Sequence, residues 1–282
     1  MTLRREICPG FAAAVLAALL ALGPRTAVAG TIRISGTGGA IGTMRILGEA
    51  FRKVRPDTRV VVMPSIGTGG AIRAVCDGDL DVGLSSRPPN AGECSRGCVA
   101  RAYAKTPFVF GVNASIATTG LTLPEIADIY SGRKDRWENG SRIRLVLRPP
   151  TESDIPRLKA MSPEMAAAVE WALRREGLIV AMTDQDTADL IEKTPGAFGG
   201  VTLALIISEK RDIRALELNG VVPTARALAD GSYPYSKTFY MITKRNPPPA
   251  VRQFVSFVRS PAGRAILSKN GQNAVSQEKI RP

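Results

Sequence analysis

The chain of 282 residues contains no histidine. Histidine provides the base in Ser-His-Asp and Cys-His catalytic units, so the sequence excludes both units. Histidine is also the most common metal ligand among side chains, and a metal site here would have to use cysteines and carboxylates. We therefore favour a disulfide over a metal site for the cysteines, and we expect no metal ion or other cofactor.

Aromatic residues are also scarce, at 5% of the chain, although the composition is basic. The sequence has 38 Lys and Arg residues against 25 Asp and Glu residues, a formal net charge of +13. The basic residues are scattered among acidic ones and form no long cationic run, whereas nucleic-acid-binding proteins cluster them. We interpret the charge as a solvated surface that attracts anions, and we expect no nucleic-acid partner.

The apolar stretch at residues 11–22 is too short to span a bilayer. Arg4 and Arg5 precede it, and the small residues at 27–29 are typical of a cleavage site before Gly30. This pattern predicts a signal peptide over residues 1–29. We expect the mature protein to be periplasmic, not embedded in the membrane, and monomeric.

Three cysteines lie beyond this segment: Cys76, Cys94 and Cys98. In an oxidising compartment two of them are expected to pair. Cys94 and Cys98 close a short loop, and we expect this pair to form and leave Cys76 as a buried thiol. Pairing of Cys76 with either of the other two remains open.

The chain is organised around a glycine-rich stretch, SIGTGGAI, at residues 65–72. An extended apolar run at 59–63 precedes it, and apolar residues at helical spacing follow, which predicts a strand, a loop and a helix. The first amides of a helix lack intrahelical partners and carry partial positive charge, so small residues there let an oxyanion approach. Thr68 adds a hydroxyl donor beside Gly69.

The same pattern occurs one strand earlier. Residues 32–34 form a short β-branched run, Thr37, Gly38 and Gly39 follow it, and helical spacing continues from Met44. Two parallel strands that end in glycine-rich helix starts place both loops at one sheet edge, where open α/β sheets bind ligands. Each loop alone is equally consistent with a tight turn, but together they favour a ligand site.

Further polar residues follow later strands. Residues 79–84 predict a third strand that ends at Ser85 and Ser86, with Arg87 either a counter-charge or solvent-facing. Residues 143–147 predict a strand that ends at Arg148, whose guanidinium is suited to an oxyanion. Arg148 is alternatively paired with Glu152 or Asp154. Ser153 is a candidate N-cap for the next helix. The helical stripe in residues 163–176 and Trp137 are interpreted as core.

The chain leaves the first unit near Thr106 and returns near Ser236, where an extended segment precedes two helices. We therefore predict an α/β protein with two lobes, joined by two hinge crossings around a cleft. The predicted domains are the signal peptide at 1–29, lobe 1 at 30–105 and 237–282, and lobe 2 at 106–236.

The sequence resembles the periplasmic phosphate-binding proteins of ABC transporters, of the type 2 periplasmic binding protein superfamily. The resemblance runs in order over nearly the whole mature chain and rests on an ordered set of motifs. They are GTGG (36–39), SIGTGGAI (65–72), DVGLSSR (81–87), PFVFGVN (107–113), residues 123–132 with Trp137, KTPGAFG (193–199) and FVRSPAG (257–263).

This resemblance implies a type 2 fold with a central mixed sheet and flanking helices in each lobe, closing on a desolvated oxyanion. Thr68 and Arg148 match a hydroxyl and an arginine that bind the anion in that family. Three departures stand out. Ala40 stands where a ligand threonine is usual, and Ser86 stands where many family members have an aspartate. Residues 152–154 (Glu-Ser-Asp) stand where the family has Ser-Gly-Thr.

We predict a protein that binds phosphate or a related oxyanion for an ABC transporter permease, without catalysis. The candidate ligand-binding residues are Thr37, Gly38, Gly39, Thr68, Gly69, Ser86, Arg148, Glu152 and Ser153. Alternatives are a ligand sensor that reports to a membrane protein, or a binder of a different small ligand. A dinucleotide enzyme is disfavoured because Ile41 stands where the third glycine of that fingerprint belongs.

Overall fold

The structure, a computed structural model, describes residues 30–94 and 97–275; the predicted signal peptide lies outside them. The strands are β1 (Gly30–Gly36), β2 (Thr58–Val62), β3 (Val82–Ser85), β4 (Cys98–Asn113), β5 (Gly120–Leu121), β6 (Arg144–Leu147), β7 (Ile179–Val180), β8 (Ala197–Thr202), β9 (Ile213–Ala215), β10 (Glu217–Leu218), β11 (Ser236–Lys244) and β12 (Asn273–Ala274).

The helices occupy the intervals between these strands and flank the sheet. They are α1 (Gly38–Val54), α2 (Gly67–Asp77), α3 (Ala91–Cys94), α4 (Leu123–Ser131), α5 (Asp154–Lys159), α6 (Pro163–Arg174), α7 (Asp184–Lys193), α8 (Leu203–Ser208), α9 (Ala225–Asp230), α10 (Pro249–Arg259) and α11 (Pro261–Lys269). None of the helices in the described residues is long and apolar enough to cross a membrane.

A mixed sheet connects these elements in the order β2-β1-β3-β11-β4-β8-β6-β7, and β9 and β12 also pair with β4. Strands β1, β2 and β3 are parallel, whereas β11 is antiparallel to both β3 and β4. On the other side, β6 is parallel to β7 and β8, and β8 is antiparallel to β4. The predicted α/β class with a mixed sheet is therefore confirmed.

Strand β4 runs through both parts of this sheet. Its residues 98–107 pair with β11, and its residues 108–113 pair with β8 and β9. At the change of partner, the Phe108 amide donates to the Tyr235 carbonyl at 3.1 Å, just before β11 begins. We call residues 30–107 and 236–275 the first half and residues 108–235 the second half. That the halves are separate lobes remains a prediction.

The apolar side chains follow the same division. One buried cluster lies within residues 108–233. Two others are formed by residues within 32–104 and 239–267, and one of them also includes Ala204 of α8, which belongs to the second half. In the first half, Phe51 of α1 packs edge to face on Phe254 at 5.3 Å. In the second half, Trp137 is buried against Phe198, as expected for a core residue.

Two elements differ in length from the sequence prediction in ways that affect the site. The extended run predicted from residue 106 is the end of a longer strand, β4, which begins at Cys98. The helix predicted from residue 187 begins at Asp184, because Thr183 and Asp186 form a capping box that starts it earlier. Because α7 begins earlier than predicted, Asp184 lies in its first turn, where it is buried.

The disulfide joins Cys76 to Cys98, so the expected Cys94–Cys98 pair is wrong. Cys76 lies in the last turn of α2, which packs beside the start of β4, and its Cα is 5.8 Å from that of Cys98. This distance is typical of disulfides. Proximity in the chain favoured Cys94, whereas the packing of a helix on the sheet determines the partner.

We expect Cys76→Ser to lower the free energy of unfolding by about 3 kcal/mol, because the bond closes a loop between residues 22 apart. Denaturant unfolding measures this change, and Cys94→Ser is the matched control, expected within about 0.5 kcal/mol of wild type. Proteolytic cleavage of the chain before Asp79 places Cys76 and Cys94 on different peptides, and mass spectrometry then shows which peptides a disulfide joins. Recovery of a Cys94–Cys98 linkage would contradict the assignment.

Candidate functional site

The two glycine-rich loops lie together at one edge of the sheet, as predicted. Helix α1 begins directly after β1, and α2 begins at Gly67 after the neighbouring strand β2. The Thr37 amide donates to the Leu84 carbonyl at 2.8 Å, and the Ile66 amide donates to the Gly36 carbonyl at 3.2 Å. The first bond holds the start of α1 against β3, and the second holds the residue before α2 against the end of β1.

A chain of three hydroxyl groups crosses from the first half to the second. Thr68 Oγ1 lies 2.9 Å from Ser86 Oγ, which lies 2.7 Å from Ser153 Oγ. The Ser86 amide also donates to Thr68 Oγ1 at 3.0 Å, which fixes the threonine rotamer. Ser153 occupies the N-cap position of α5, but its hydroxyl bonds to Ser86 instead of capping the helix.

A cavity of about 780 Å³ lies beside this hydroxyl chain, between the start of α2 and the loop before α5. Five of the predicted site residues line it: Thr68, Gly69, Ser86, Glu152 and Ser153. We call this cavity the cleft. The other lining residues are Ile66, Gly67, Gly70, Arg73, Arg87, Pro150, Thr151, Pro156 and Arg157.

Three arginines line the cleft, and one of them, Arg87, is the counter-charge candidate of the sequence analysis. Its guanidinium is bound by Glu93 through two hydrogen bonds of 2.8 and 3.0 Å, so its charge is balanced. Arg157 is partly buried and donates to the Ser236 carbonyl. Arg73 is exposed at the second turn of α2, near Gly69. The cleft therefore carries cationic side chains from both halves.

Arg148 is buried beneath Glu152, with 6% of its surface exposed. Its Nη2 lies 3.0 Å from Glu152 Oε2, so the salt bridge considered from the sequence is present. Within the described residues, Arg148 Nε and Nη1 have no hydrogen-bond partner. A buried guanidinium with unpartnered N–H groups leaves hydrogen-bonding capacity that an anion is able to satisfy.

The first glycine loop is placed differently from the second. Thr37, Gly38 and Gly39 are buried and do not line the cleft. Thr37 Oγ1 donates to Asp184 Oδ2 at 3.4 Å, and Gln185 Nε2 donates to the Gly38 carbonyl at 2.9 Å. The start of α7, in the second half, therefore covers this loop.

Asp184 belongs to a buried charged cluster that sequence analysis missed. Lys237 Nζ lies 3.0 Å from Asp184 Oδ1 and 2.9 Å from Asp154 Oδ1, and Lys237 is 1% exposed. We call Lys237, Asp154 and Asp184 the buried triad. The strand pattern contained a signal for it, because Lys237 alternates with buried Phe239 and Met241 and so faces the core.

Asp184 and Lys237 of the triad hold their charges despite burial. Burial raises the pKa of Asp184, but the charges of Lys237 and Arg148 and hydrogen bonds from Lys237 and the Gly39 amide outweigh it, so the pKa falls to about 2. Burial lowers the pKa of Lys237, but the two carboxylates raise it by more, so the pKa lies above its usual range. An ion pair therefore joins the two halves.

Comparison with known proteins identifies the same architecture. The family description "PBP superfamily domain" matches residues 24–262. The chain is 23% identical over 262 residues to the "Phosphate-binding protein PstS" of Bacillus subtilis, covering 89% of this chain and 83% of that protein.

Two solved structures show the same fold. A putative phosphate ABC transporter substrate-binding protein from Clostridium perfringens, with bound phosphate, has a TM-score of 0.73 at 21% identity, covering 87% of this chain and 100% of that one. An ABC-type phosphate transport receptor from Vibrio cholerae has a TM-score of 0.60 at 19% identity, covering 86% and 99%. With the family match over most of its length, the chain belongs to the PBP superfamily and has the type 2 periplasmic binding protein fold.

Proposed function

We propose that this protein is an exported solute-binding protein that clamps phosphate, or a related tetrahedral oxyanion, for delivery to an ABC transporter. The observation that carries the proposal is the hydroxyl chain from Thr68 through Ser86 to Ser153, which spans the two halves beside the cleft. The names of the relatives, a phosphate-binding protein and two phosphate transport proteins, support the same ligand. In this proposal the protein acts by binding, without catalysis.

The first turn of α2 supplies the anion-binding groups of the first half. Its residues are Gly67, Thr68, Gly69 and Gly70, and it contains no acidic side chain that would repel an anion. The free amides of this turn carry partial positive charge, and the glycines leave them accessible. Thr68 of this turn and Ser86, which directly follows β3, add hydroxyl donors.

The second half supplies the opposing groups. Ser153 contributes a hydroxyl, and Arg148 contributes the N–H groups that lack a partner in the described residues. Glu152 accepts from Arg148 and also lines the cleft. An ionised carboxylate accepts hydrogen bonds only, so Glu152 favours an oxyanion that still carries a proton over sulfate, which has none.

Closure of the clamp proceeds through the two crossing segments. β4 leaves the first half after Pro107, and the chain returns at Ser236, where the two segments pair. We propose that lobe 1 comprises residues 30–105 and 237–282, that lobe 2 comprises residues 106–236, and that rotation occurs near Thr106 and Ser236. Small backbone changes at two adjacent crossings are sufficient for hinge motion. We further propose that the mature protein is periplasmic and monomeric, with an ABC permease as its partner.

We expect Arg148→Ala to weaken phosphate binding by about 100-fold, because it removes a buried charged donor and leaves Glu152 unpaired. Calorimetric titration of refolded, ligand-free protein measures the dissociation constant. Arg144→Ala is the matched control, since Arg144 is exposed on the same strand. Equal affinity of the Arg148 variant and wild type would contradict the assigned role. A wild-type protein that binds none of phosphate, arsenate, sulfate and molybdate would contradict the function.

We expect Glu152→Gln to reduce the preference for phosphate over sulfate by about tenfold, because an amide also donates a hydrogen bond and no longer rejects an unprotonated oxyanion. Competition titrations with both anions measure the ratio. Glu176→Gln, an exposed change of the same charge, should leave the ratio at its wild-type value. An unchanged ratio in Glu152→Gln would show that this carboxylate does not select the ligand.

A further inference from the structure

The first glycine loop has the chemistry of an anion site, yet a side chain of the same protein already fills it. We infer that the Asp184 carboxylate is a resident anion at Thr37–Gly39, in the place of a ligand oxygen, so that the second loop alone holds the ligand. The inference rests on the proposed function for the identity of the ligand in the cleft, phosphate or a related oxyanion. The role of Asp184 at the first glycine loop does not depend on that function.

The contacts of Asp184 are those that an anion makes at a helix start. Its carboxylate accepts from the Thr37 hydroxyl and from Lys237, and a Cβ atom built on Gly38 would lie 3.0 Å from its Oδ2. Thr37 is the N-cap residue of α1, but its hydroxyl does not cap its own helix and donates to Asp184 instead. The first turn of α1 has no acidic residue, so Asp184 provides the negative charge that stabilises this helix end.

The fit between the loop and α7 is close. A Cβ atom built on Gly38 would lie 2.2 Å from Gln185 Oε1 and 2.8 Å from Asp184 Cβ. Gln185 Nε2 donates to the Gly38 carbonyl at 2.9 Å and also to Glu209 Oε1 at 2.8 Å, which fixes its position over the loop. The start of α7 thus covers the loop, and the loop does not line the cleft.

The charges of the interior are matched in the same way. Lys237 is paired with Asp154 and Asp184, and Arg148 is paired with Glu152. Three carboxylates therefore already accompany the two buried cations that lie nearest to the loop. Asp184 determines specificity in two respects, because it blocks the first anion position and because it repels additional negative charge.

Removal of the carboxylate and its replacement by a small carboxylate in solution tests this inference without any natural ligand. We expect Asp184→Ala to have a lower melting temperature than wild type. Sodium formate, compared with sodium chloride at equal ionic strength, should restore part of that loss. Asp212→Ala is the control, because it removes an exposed acid of the second half that lies between α8 and β9 and caps no helix. Adding Thr37→Val to Asp184→Ala should abolish the gain from formate, since it removes a donor to the bound anion.

A second variant keeps the size of the side chain. We expect Asp184→Asn to bind inorganic phosphate about tenfold more tightly than wild type, because one repelling charge is lost. Asp212→Asn should retain the wild-type affinity. If Asp184→Ala does not fold, this comparison decides the question alone.

Two results would overturn the inference. One is a formate effect in Asp184→Ala no larger than in Asp212→Ala, and the other is an Asp184→Asn variant that binds phosphate no more tightly than wild type. Failure of the proposed function gives a different result. In that case wild type binds no phosphate, whereas formate still stabilises Asp184→Ala.

Discussion

The structure depends on the neutralisation of one buried charge, the ammonium group of Lys237. An unpaired ammonium there would cost several kcal/mol, so the surrounding elements must bring carboxylates to it. Asp154 at the start of α5 and Asp184 at the start of α7 both do so, although they approach from the second half and Lys237 lies on β11. The requirement to neutralise one charge therefore brings the starts of two second-half helices to a strand of the first half.

The same interior explains how the cleft differs from a simple cationic pocket. Arg148, buried behind the cleft, is balanced by Glu152, and hydroxyls and helix amides line the cavity together with Glu152 and three arginines. Hydroxyls both donate and accept, so they adapt to a protonated ligand, whereas ammonium groups only donate. If the proposed function is right, a site of this composition discriminates by the protonation of the ligand more than by its total charge.

Local patterns were sufficient to predict much of this architecture. The strand, glycine loop and helix units at both loops, the role of Trp137 and the route of the chain near Thr106 follow from periodicity and turn chemistry. The disulfide and the buried triad were not predictable in the same way. Cys76 and Lys237 find their partners through packing of distant segments, and spacing along the chain does not encode which segments meet. The strand alternation at Lys237 indicated burial, but not the identity of the paired acids.

The buried triad also has a consequence for how this sequence is able to change over evolutionary time. Replacement of Lys237 alone leaves two carboxylates facing each other, and replacement of one acid alone leaves the lysine with half of its compensation. Each single step passes through a destabilised intermediate, typically by 3–5 kcal/mol for a broken buried pair. The three residues are therefore expected to be inherited or lost together, as one epistatic unit, while the exposed charges around them vary independently.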